Sequence, residues 1–491
     1  MLPAHMPAAR CALLAVLLAG AVETRASSAA SPLLPPDHWA VESLDRLDAL
    51  GLVPGWMPAQ KSVPVLAVAA ALAAAEAEAD ASSPSLAAIV GRWRARLAEE
   101  WPGVVSGHPL LGVRAAAGVQ SGDAVEDPTQ AVHAGPSALR LVAPPDGAYA
   151  LAGAGVRAGE HVAAGATVRA DRAGATLEDG DVVAAVGWLA VAAGRARPAF
   201  ALSRLGGVML SGRAVLDRIE LFTTRPVKLP GALGRAGSWT ADTFVARLGP
   251  PRHAGAPLLW ATSFRWRLDP RLTIGGQRGL IFGGEPWDGL PAWDATRVLL
   301  GAKNVAGNNV LAASARWRMP TEAVLPLTLD VDWGTDDDPF AAVKVPGLVA
   351  GVSTPMLGTL PVALGVEYAF FGRFCCRAPY KTGAWYGHHE YRGGWAARQA
   401  PLGDPLGGDG RALRISASAD GGSILRVASA VWVQDRFLGN LYAPQAAGRS
   451  VGAEVTTQLR LPRTTIELRA GREQGSRWET TQAALDATVF F

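Results

Sequence analysis

The chain has 491 residues, enough for several ordinary domains or for one large barrel. Its net charge is only +3, and no basic stripe of the kind found in nucleic-acid binders is present, so a dedicated nucleic-acid-binding protein is excluded. The three cysteines are Cys11, Cys375 and Cys376. Two of them are adjacent and one lies in the N-terminal apolar stretch, so no disulfide framework holds this protein together.

The N-terminus has the pattern of a secretory signal. Arg10 precedes the apolar stretch CALLAVLLAGAV (11–22), and small residues follow it. We predict a signal peptide over residues 1–26, with cleavage as late as Ala30. No later stretch offers ~18 uninterrupted apolar residues, so any membrane crossing by the exported protein is predicted to use strands.

Residues 32–103 have helical periodicity and predict a small bundle of helices. In PPDHWAVESLDRLDALGLVPG, leucines recur at helical spacing. Asp37 is the predicted N-cap of this first helix, and Gly51 is its predicted stop. Two alanine- and leucine-rich stretches follow before residue 103.

From residue 104 to residue 491 the hydrophobic period changes from 3.6 to 2. In LLWATSFRWRL (258–268), for example, Trp260, Phe264 and Trp266 share one face, and arginines lie on the other. Turn-rich gaps separate about 16 to 18 such segments, each of ~10 residues, which is the length that a tilted strand needs to cross a bilayer. The prediction is an all-β transmembrane barrel of about 16–18 antiparallel strands, preceded by the helical bundle.

A soluble sandwich would show the same period, but three features favour the barrel. First, charged residues occupy the polar face of successive strands, which suits a polar lumen. They include Arg265, Arg316, Asp330, Glu367, Arg414, Glu454 and Glu467. Second, tryptophans lie in or at the ends of strands, as in membrane-interface girdles. They are Trp260, Trp266, Trp317, Trp333 and Trp432. Third, the chain ends on an alternating strand whose last residue is Phe491.

The stretch WYGHHEYRGGWAARQAPLGDPLGGDG (385–410) is the densest polar and aromatic stretch of the chain. On a strand, its adjacent histidines would point to opposite faces and could not share a metal, and no third ligand stands at recognisable spacing. A histidine acting as general base would need a nucleophile. GRSVG (448–452) matches a hydrolase-elbow pattern around Ser450, but a strand follows it instead of the required helix. We therefore predict no metal site, no cofactor and no enzymatic activity.

The same stretch has the chemistry of a ligand-gripping loop. Its flat rings can stack on sugars, and its arginines and carboxylates can make directed hydrogen bonds. A loop whose polar groups satisfy one another explains the composition equally well. The candidate polysaccharide-binding residues are Trp385, Tyr386, His388, His389, Tyr391, Arg392, Trp395, Arg398, Asp404 and Asp409.

These residues also carry a family resemblance. The segment YGHHEYRGGWAARQAPLGDPLGGDGRALRIS resembles the most recognisable part of the Wzi-type capsule assembly proteins. The order of signal peptide, helices, barrel strands and terminal phenylalanine is similar over nearly the whole mature chain. One departure is LSRLGGVMLSGRAVLDRIEL (202–221), which lacks the tryptophans of the corresponding family stretch. It bears on the identity of the ligand more than on the fold.

The resemblance implies an outer-membrane barrel of a Gram-negative bacterium that binds and organises capsular or other surface polysaccharide. It also implies that the helical bundle of residues 32–103 lies on the periplasmic side of the membrane. Its expected partners are capsular polysaccharide or exopolysaccharide, outer-membrane lipids and, during biogenesis, the barrel-assembly machinery, which would read Phe491 as a signal. A general porin or polymer-export channel is the main alternative. An outer-membrane hydrolase is a lesser one.

Overall fold

The computed structural model gives the chain from residue 30 to its end, with gaps. The described residues are 30–122, 125–126, 133–134, 147–203, 205–228, 231–249, 255–288, 290–299, 307–322, 324–336, 346–372, 385–388, 391, 393–397, 400–422, 424–442 and 445–491. The predicted signal peptide lies outside them, as do Cys375 and Cys376.

The structure is an antiparallel barrel of 18 strands, as the sequence predicted. The strands are β1 Leu110–Gly122, β2 Gly147–Ala158, β3 Val162–Asp171, β4 Gly174–Val186, β5 Leu189–Ala196, β6 Leu216–Thr223, β7 Ser238–Arg247, β8 Leu258–Asp269, β9 Leu272–Phe282, β10 Asn308–Arg318, β11 Thr328–Asp336, β12 Gly347–Thr354, β13 Val362–Phe371, β14 Gly410–Ala419, β15 Leu425–Arg436, β16 Gly448–Leu461, β17 Thr464–Gly475 and β18 Glu479–Phe490.

The barrel closes where β18 pairs with β1, from Phe490 opposite Arg114 to Gln482 opposite Gly122. Closure leaves no open sheet edge, so backbone polar groups are satisfied without water, as a bilayer requires. Two connections do not interrupt the order of the strands, because β5 still pairs with β6 and β13 with β14. The described residues of these two connections, within 197–215 and 372–409, contribute no strand to the closed barrel.

The wall has an apolar outer face and a polar inner face. On β14, the side chains of Leu413 and Ile415 are 46% and 47% exposed, whereas those of Arg414 and Ser416 are only 2% and 4% exposed. The exposed residues point outward to the position of lipid, and the buried ones point into the lumen. The charged residues of the predicted polar face accordingly lie on the lumen side.

Four of the five tryptophans of the predicted girdle lie on the outer face of the barrel. Trp260 and Trp333 lie near one end of the outer face, and Trp266 and Trp317 lie near the other. Trp432 is a correction, because it shares its face with Arg426 and Gln434 and is buried in the lumen against Gly452. A Cβ atom at Gly452 would approach the Trp432 ring to 2.2 Å.

The helices of the N-terminal region form a compact unit. They are α1 Trp39–Leu50, α2 Val65–Ser82, α3 Pro84–Glu100 and the short α4 Pro102–Ser106; α5 Ala292–Leu299 lies between β9 and β10. Shorter elements are the two-residue pairs Leu33–Leu34 with Val63–Pro64 and Ala396–Ala397 with Ala400–Pro401, the pair Val125–Glu126 with His133–Ala134, the strand Val227–Lys228, and the 3₁₀ turns Gly231–Ala236 and Glu285–Trp287. None of the helices in the described part of the chain is long and apolar enough to cross a membrane.

Helix α1 begins one residue later than predicted. His38 is its N-cap and accepts a hydrogen bond from the Ala40 N–H at 3.2 Å. Asp37, the predicted cap, instead receives two hydrogen bonds from Arg197 at 2.8 and 3.0 Å. The predicted stop is correct, because Gly51 ends the helix in the left-handed conformation with a φ of 83°.

The helical unit closes one end of the barrel, which we call the helical end; the opposite end is the loop end. Arg46 and Arg92 donate to the carbonyls of Pro361 and Gly421, which lie in connections between strands at this end, and Arg96 donates to the carbonyl of Leu461, the last residue of β16. The last residue, Phe491, lies at the same end, where its N–H donates to the Val113 carbonyl at 2.9 Å. Contacts to several connections fix the unit across the barrel mouth.

An acidic face of α1 enters the lumen. Glu42, Asp45 and Asp48 recur every three residues, so they lie on one side of the helix. They form ion pairs with Arg426 at 2.6 Å, Lys61 at 3.3 Å and Arg267 at 2.9 Å, respectively. The opposite side, with Leu44 and Leu47, packs into the core of the helical unit.

Asp45 is charged in this setting. Burial by itself raises the pKa of its carboxyl, but the positive charges of Lys61 and Arg316 and the hydrogen bond from Trp56 together bring the pKa below its usual value. The ionised Asp45 carboxylate thus lies between Lys61 of the helical unit and Arg316 of the barrel wall.

We expect the purified protein to form no large, steady conductance in planar bilayers, because its own chain fills much of the lumen. A variant lacking residues 32–103 should show increased conductance once its heat-modifiable electrophoretic mobility confirms a folded barrel. A large, steady conductance in the intact protein that the deletion leaves unchanged would contradict this.

Candidate functional site

The stretch from Trp385 to Asp409, here called the motif segment, lies inside the barrel. Its described residues are 385–388, 391, 393–397 and 400–409. Trp385, Tyr386 and Trp395 are completely buried, and they belong to one hydrophobic cluster with residues of the β-strand wall such as Phe371. The Phe371 ring lies 5.2 Å from the Trp385 ring and 5.4 Å from the Tyr386 ring, between centroids. The segment is thus part of the lumen filling.

A second segment inside the barrel comes from residues 197–215, here called the inner strap. Phe200, Val208, Met209 and Leu210 of the strap are almost wholly buried in the same cluster. The strap backbone is held from the wall, since Arg265 Nη2 donates to the Phe200 carbonyl at 2.8 Å. The strap is therefore held inside the barrel by packing and by hydrogen bonds.

Hydrogen bonds join the motif segment to the inner strap. The Tyr386 hydroxyl donates to the Val208 carbonyl, and Trp395 Nε1 donates to the Met209 carbonyl at 2.8 Å. In the reverse direction, the Ser211 N–H donates to the Leu402 carbonyl at 3.0 Å. The aromatic rings thus bury their apolar faces and satisfy their polar atoms on the strap.

Glycine at position 403 makes this contact possible. A Cβ atom there would lie 2.0 Å from the Tyr386 hydroxyl, so any larger residue would displace the ring. Tyr386 itself has a φ of 63°, in the left-handed region that non-glycine residues rarely adopt. The tight packing on both sides holds it there.

The Tyr386 hydroxyl remains protonated. Its pKa is raised well above the usual value, first by complete burial and then by the negative charge of Asp404. The Asp404 N–H also donates to this hydroxyl at 3.0 Å. The phenol thus acts as a hydrogen-bond bridge between segment and strap.

A buried ion triad ties the motif segment to the wall. Arg414 Nη1 lies 2.9 Å from Asp404 Oδ2 and 2.7 Å from Glu367 Oε1, and Arg414 Nη2 also donates to Asp404 Oδ1. The strap meets this triad at Gly206, where a Cβ atom would lie 2.0 Å from Asp404 Oδ2. The carboxylate predicted to bind sugar thus pairs with a lumen arginine.

Of the six remaining candidate residues, three lie among the described residues and three do not. Asp409 is buried, and its backbone carbonyl accepts from Asn440 at 3.1 Å. Tyr391 is buried and donates through its hydroxyl to the Gly283 carbonyl at 3.1 Å. His388 is partly exposed, and its Nδ1 accepts from the Tyr391 N–H at 3.2 Å. The other three, His389, Arg392 and Arg398, lie outside the described residues.

The structure gives Ser450 no elbow geometry. It lies within β16, which pairs on both sides, and its hydroxyl donates to Glu473 Oε1 at 2.7 Å. A nucleophile elbow needs a sharp turn from strand to helix, so the pattern match around Ser450 is a coincidence of sequence.

The inner strap was missed by sequence reasoning, although a signal was present. FALSRLGGVMLSG (200–212) has apolar residues at both ends and paired glycines between them, without strand alternation. Such a stretch between two strands indicates chain packed in an interior. Its place in the lumen became clear only from its contacts with the motif segment.

A family model described as capsule assembly protein Wzi matches residues 104–431, which is more than half of the chain. The chain belongs to this family. The matched range contains β1 through most of β15, together with the inner strap and the motif segment. The predicted resemblance is thereby confirmed.

Among solved structures, the chain is similar to Wzi of Escherichia coli, an outer-membrane, carbohydrate-binding β-barrel involved in group 1 capsule assembly. The TM-score is 0.73 at 13% identity, covering 93% of this chain and 99% of that chain. At this identity, the match shows a common fold. No curated protein sequence shows significant similarity to the chain.

Two Pseudomonas aeruginosa proteins are more distant. OpdQ matches with a TM-score of 0.44 at 9% identity, covering 77% of this chain and 97% of that chain. OpdR matches with a TM-score of 0.45 at 11% identity, covering 77% and 95%. Likeness at this level supports no functional conclusion.

Arg414→Ala should destabilise the folded barrel by about 3–5 kcal/mol, because it leaves the carboxylates of Asp404 and Glu367 buried without a cation. Unfolding in urea, followed by the heat-modifiable band shift, measures this loss. Arg411→Ala is the matched control on the same strand, since its side chain is 59% exposed and pairs with Asp435 at 3.2 Å. It should cost no more than about 1 kcal/mol, and equal losses in the two variants would contradict the role of the triad.

Proposed function

We propose that this protein is an outer-membrane barrel that binds and organises capsular or other surface polysaccharide at the cell surface, without catalysis. The observation that carries the proposal is that the chain belongs to the capsule assembly protein Wzi family. In addition, the chain's own internal segments fill much of the barrel lumen. A filled lumen suits a protein that holds a polymer rather than one that conducts it. The carbohydrate binding and capsule assembly described for the Escherichia coli relative give the proposal its substrate class.

In the proposed orientation, the helical end faces the periplasm and the loop end faces outward. Connections at the helical end include the short turns 270–271 and 462–463, whereas 372–409 and 283–307 are long connections at the loop end. Bacterial outer-membrane barrels have short periplasmic turns and longer external loops. The predicted signal peptide supports entry of the chain from the periplasm.

The motif segment is the proposed glycan-contacting element. His388, His389, Arg392 and Arg398 are the side chains that we propose to reach the sugar, because arginine forks and imidazole nitrogens make directed hydrogen bonds. The other six candidates would act through the shape of the segment. They are Trp385, Tyr386, Tyr391, Trp395, Asp404 and Asp409, which are buried.

The outer surface of the barrel supports the proposal of two further partners, outer-membrane lipids and the barrel-assembly machinery. Its apolar band and tryptophans suit outer-membrane lipids. Phe491 is 62% exposed at the end of the chain, where the barrel-assembly machinery would read it as a signal.

Two other functions are less well supported. A porin needs an open lumen, and here the helical unit, inner strap and motif segment occupy it. A hydrolase needs a nucleophile beside a general base, and Ser450 lies in a regular strand with its hydroxyl bound to a carboxylate.

In the source strain, deleting the gene should release polysaccharide into the medium while its synthesis continues. Complementation with an Arg392→Ala, Arg398→Ala double variant should leave cell-bound polymer reduced by about tenfold, as expected when charge-assisted hydrogen bonds are lost. Cell-bound and released carbohydrate are measured separately.

The control for the double variant is Arg271→Ala, because Arg271 lies in an exposed turn at the helical end and pairs there with Glu322. It should restore full retention. Unchanged retention in the deletion strain would refute the proposed function, and full retention in the double variant would refute the assignment of these two arginines.

A further inference from the structure

A second polar feature lies away from the motif segment. A cavity of about 670 Å³ extends inside the lumen along strands β1–β4 and β16–β18. Its volume is in the range of ligand-binding pockets, about 300–1,000 Å³. No described residue of the motif segment lines it.

The cavity has a floor at the helical end. Pro32, Trp101 and Phe490 line it there. The floor is closely fitted to the wall, because a Cβ atom at Gly165 would lie 2.8 Å from Pro32, and one at Gly155 would lie 2.6 Å from the Trp101 ring. The cavity is therefore closed on this side.

The other end of the cavity reaches the loop end of the barrel. Ala173, Thr176 and Glu178 line it near the turn between β3 and β4, and all three are exposed. The shape is thus a well, with its floor at the helical end and exposed residues at its upper rim.

Ion pairs line the wall of the well. Arg114 lies 3.8 Å from Asp179, Arg169 lies 3.1 Å from Asp171, and Arg469 lies 3.2 Å from Asp486. Solvent reaches them, since the Arg114 and Asp179 side chains are 32% and 37% exposed. These pairs contrast with the dry Arg414 triad at the other side of the lumen.

This alternation of charges suits hydroxyl groups. A sugar hydroxyl both donates and accepts, so it can bond a carboxylate and a guanidinium at once. Tyr149 adds a ring to the wall, with the Arg169 guanidinium 4.1 Å from its centroid and its hydroxyl donating to Asp486 at 3.3 Å. The ion pairs hold these groups in position before a ligand arrives.

The charge balance favours a neutral ligand. Eight carboxylates and six arginines line the well, and many of them form ion pairs, so the wall offers no net positive charge to attract an anionic sugar. We propose that this well binds a neutral, hydroxyl-rich stretch of a surface polysaccharide chain. The inference rests on the proposed function and adds a second sugar-binding place, with a defined ligand class.

The test fills the well without changing its charges. Ala116 lines it, and its neighbour Ala117 faces outward on the same strand. Ala116→Trp should weaken binding of the source strain's purified polysaccharide at least about tenfold, and Ala117→Trp should leave it unchanged. Neutral fragments from partial hydrolysis of that polymer should compete better than uronate-bearing fragments.

The outcomes separate the two proposals. Unchanged binding by a folded Ala116→Trp protein overturns the well but not the proposed function. Better competition by the uronate-bearing fragments overturns the neutral ligand class. No binding by the wild-type protein refutes both proposals.

A second variant guards against failure of Ala116→Trp to fold. Asp179→Asn removes one acceptor charge from the well and should weaken binding about threefold. Its control is Asp217→Asn on β6, where the carboxylate is 53% exposed and pairs with Arg195. Equal binding by the Asp179 and Asp217 variants would overturn the proposal.

Discussion

The structure depends on the pairing of guanidinium groups that face the barrel lumen. A charge that is buried without a partner is costly, so each lumen arginine needs a carboxylate or carbonyl close by. The helical unit supplies Glu42 and Asp48, and the motif segment supplies Asp404. The inner strap supplies backbone carbonyls, such as that of Phe200. The elements that fill the lumen therefore also supply the carboxylates and carbonyls that pair with its arginines.

The same requirement explains the two sides of the interior. Where strap and motif segment occupy the lumen, the wall carries a dry hydrophobic cluster around Trp385 and Trp395. Along β1–β4 and β16–β18 the strap borders a cavity through Arg197, Arg213 and Val215, and the ion pairs there remain partly solvated. One barrel thus combines a rigid, packed half with a wet half in which polar groups stay available to a ligand.

The family's most recognisable residues have a structural role in this arrangement. Gly403 of the motif segment admits the Tyr386 hydroxyl, and Asp404 pairs with Arg414 beside Gly206 of the inner strap. The motif segment resembles a binding loop in sequence. In its described part, it joins the inner strap to the barrel wall. This gives the proposed sugar contacts at His388 and its neighbours a rigid base, which favours precise positioning.

The sequence by itself determined the barrel, the approximate strand number, the helices before it and the polar inner face, because a period of 2 assigns each strand residue to one of two sides. The same alternation could have assigned Trp432 to the lumen, since Trp432 shares a face of its strand with Arg426 and Gln434. Only the tertiary structure decided that the inner strap and motif segment fold inward and pack together. Their contacts, such as Tyr386 with Val208, join residues far apart in the chain, and no local period records which distant group will satisfy a buried charge or hydroxyl.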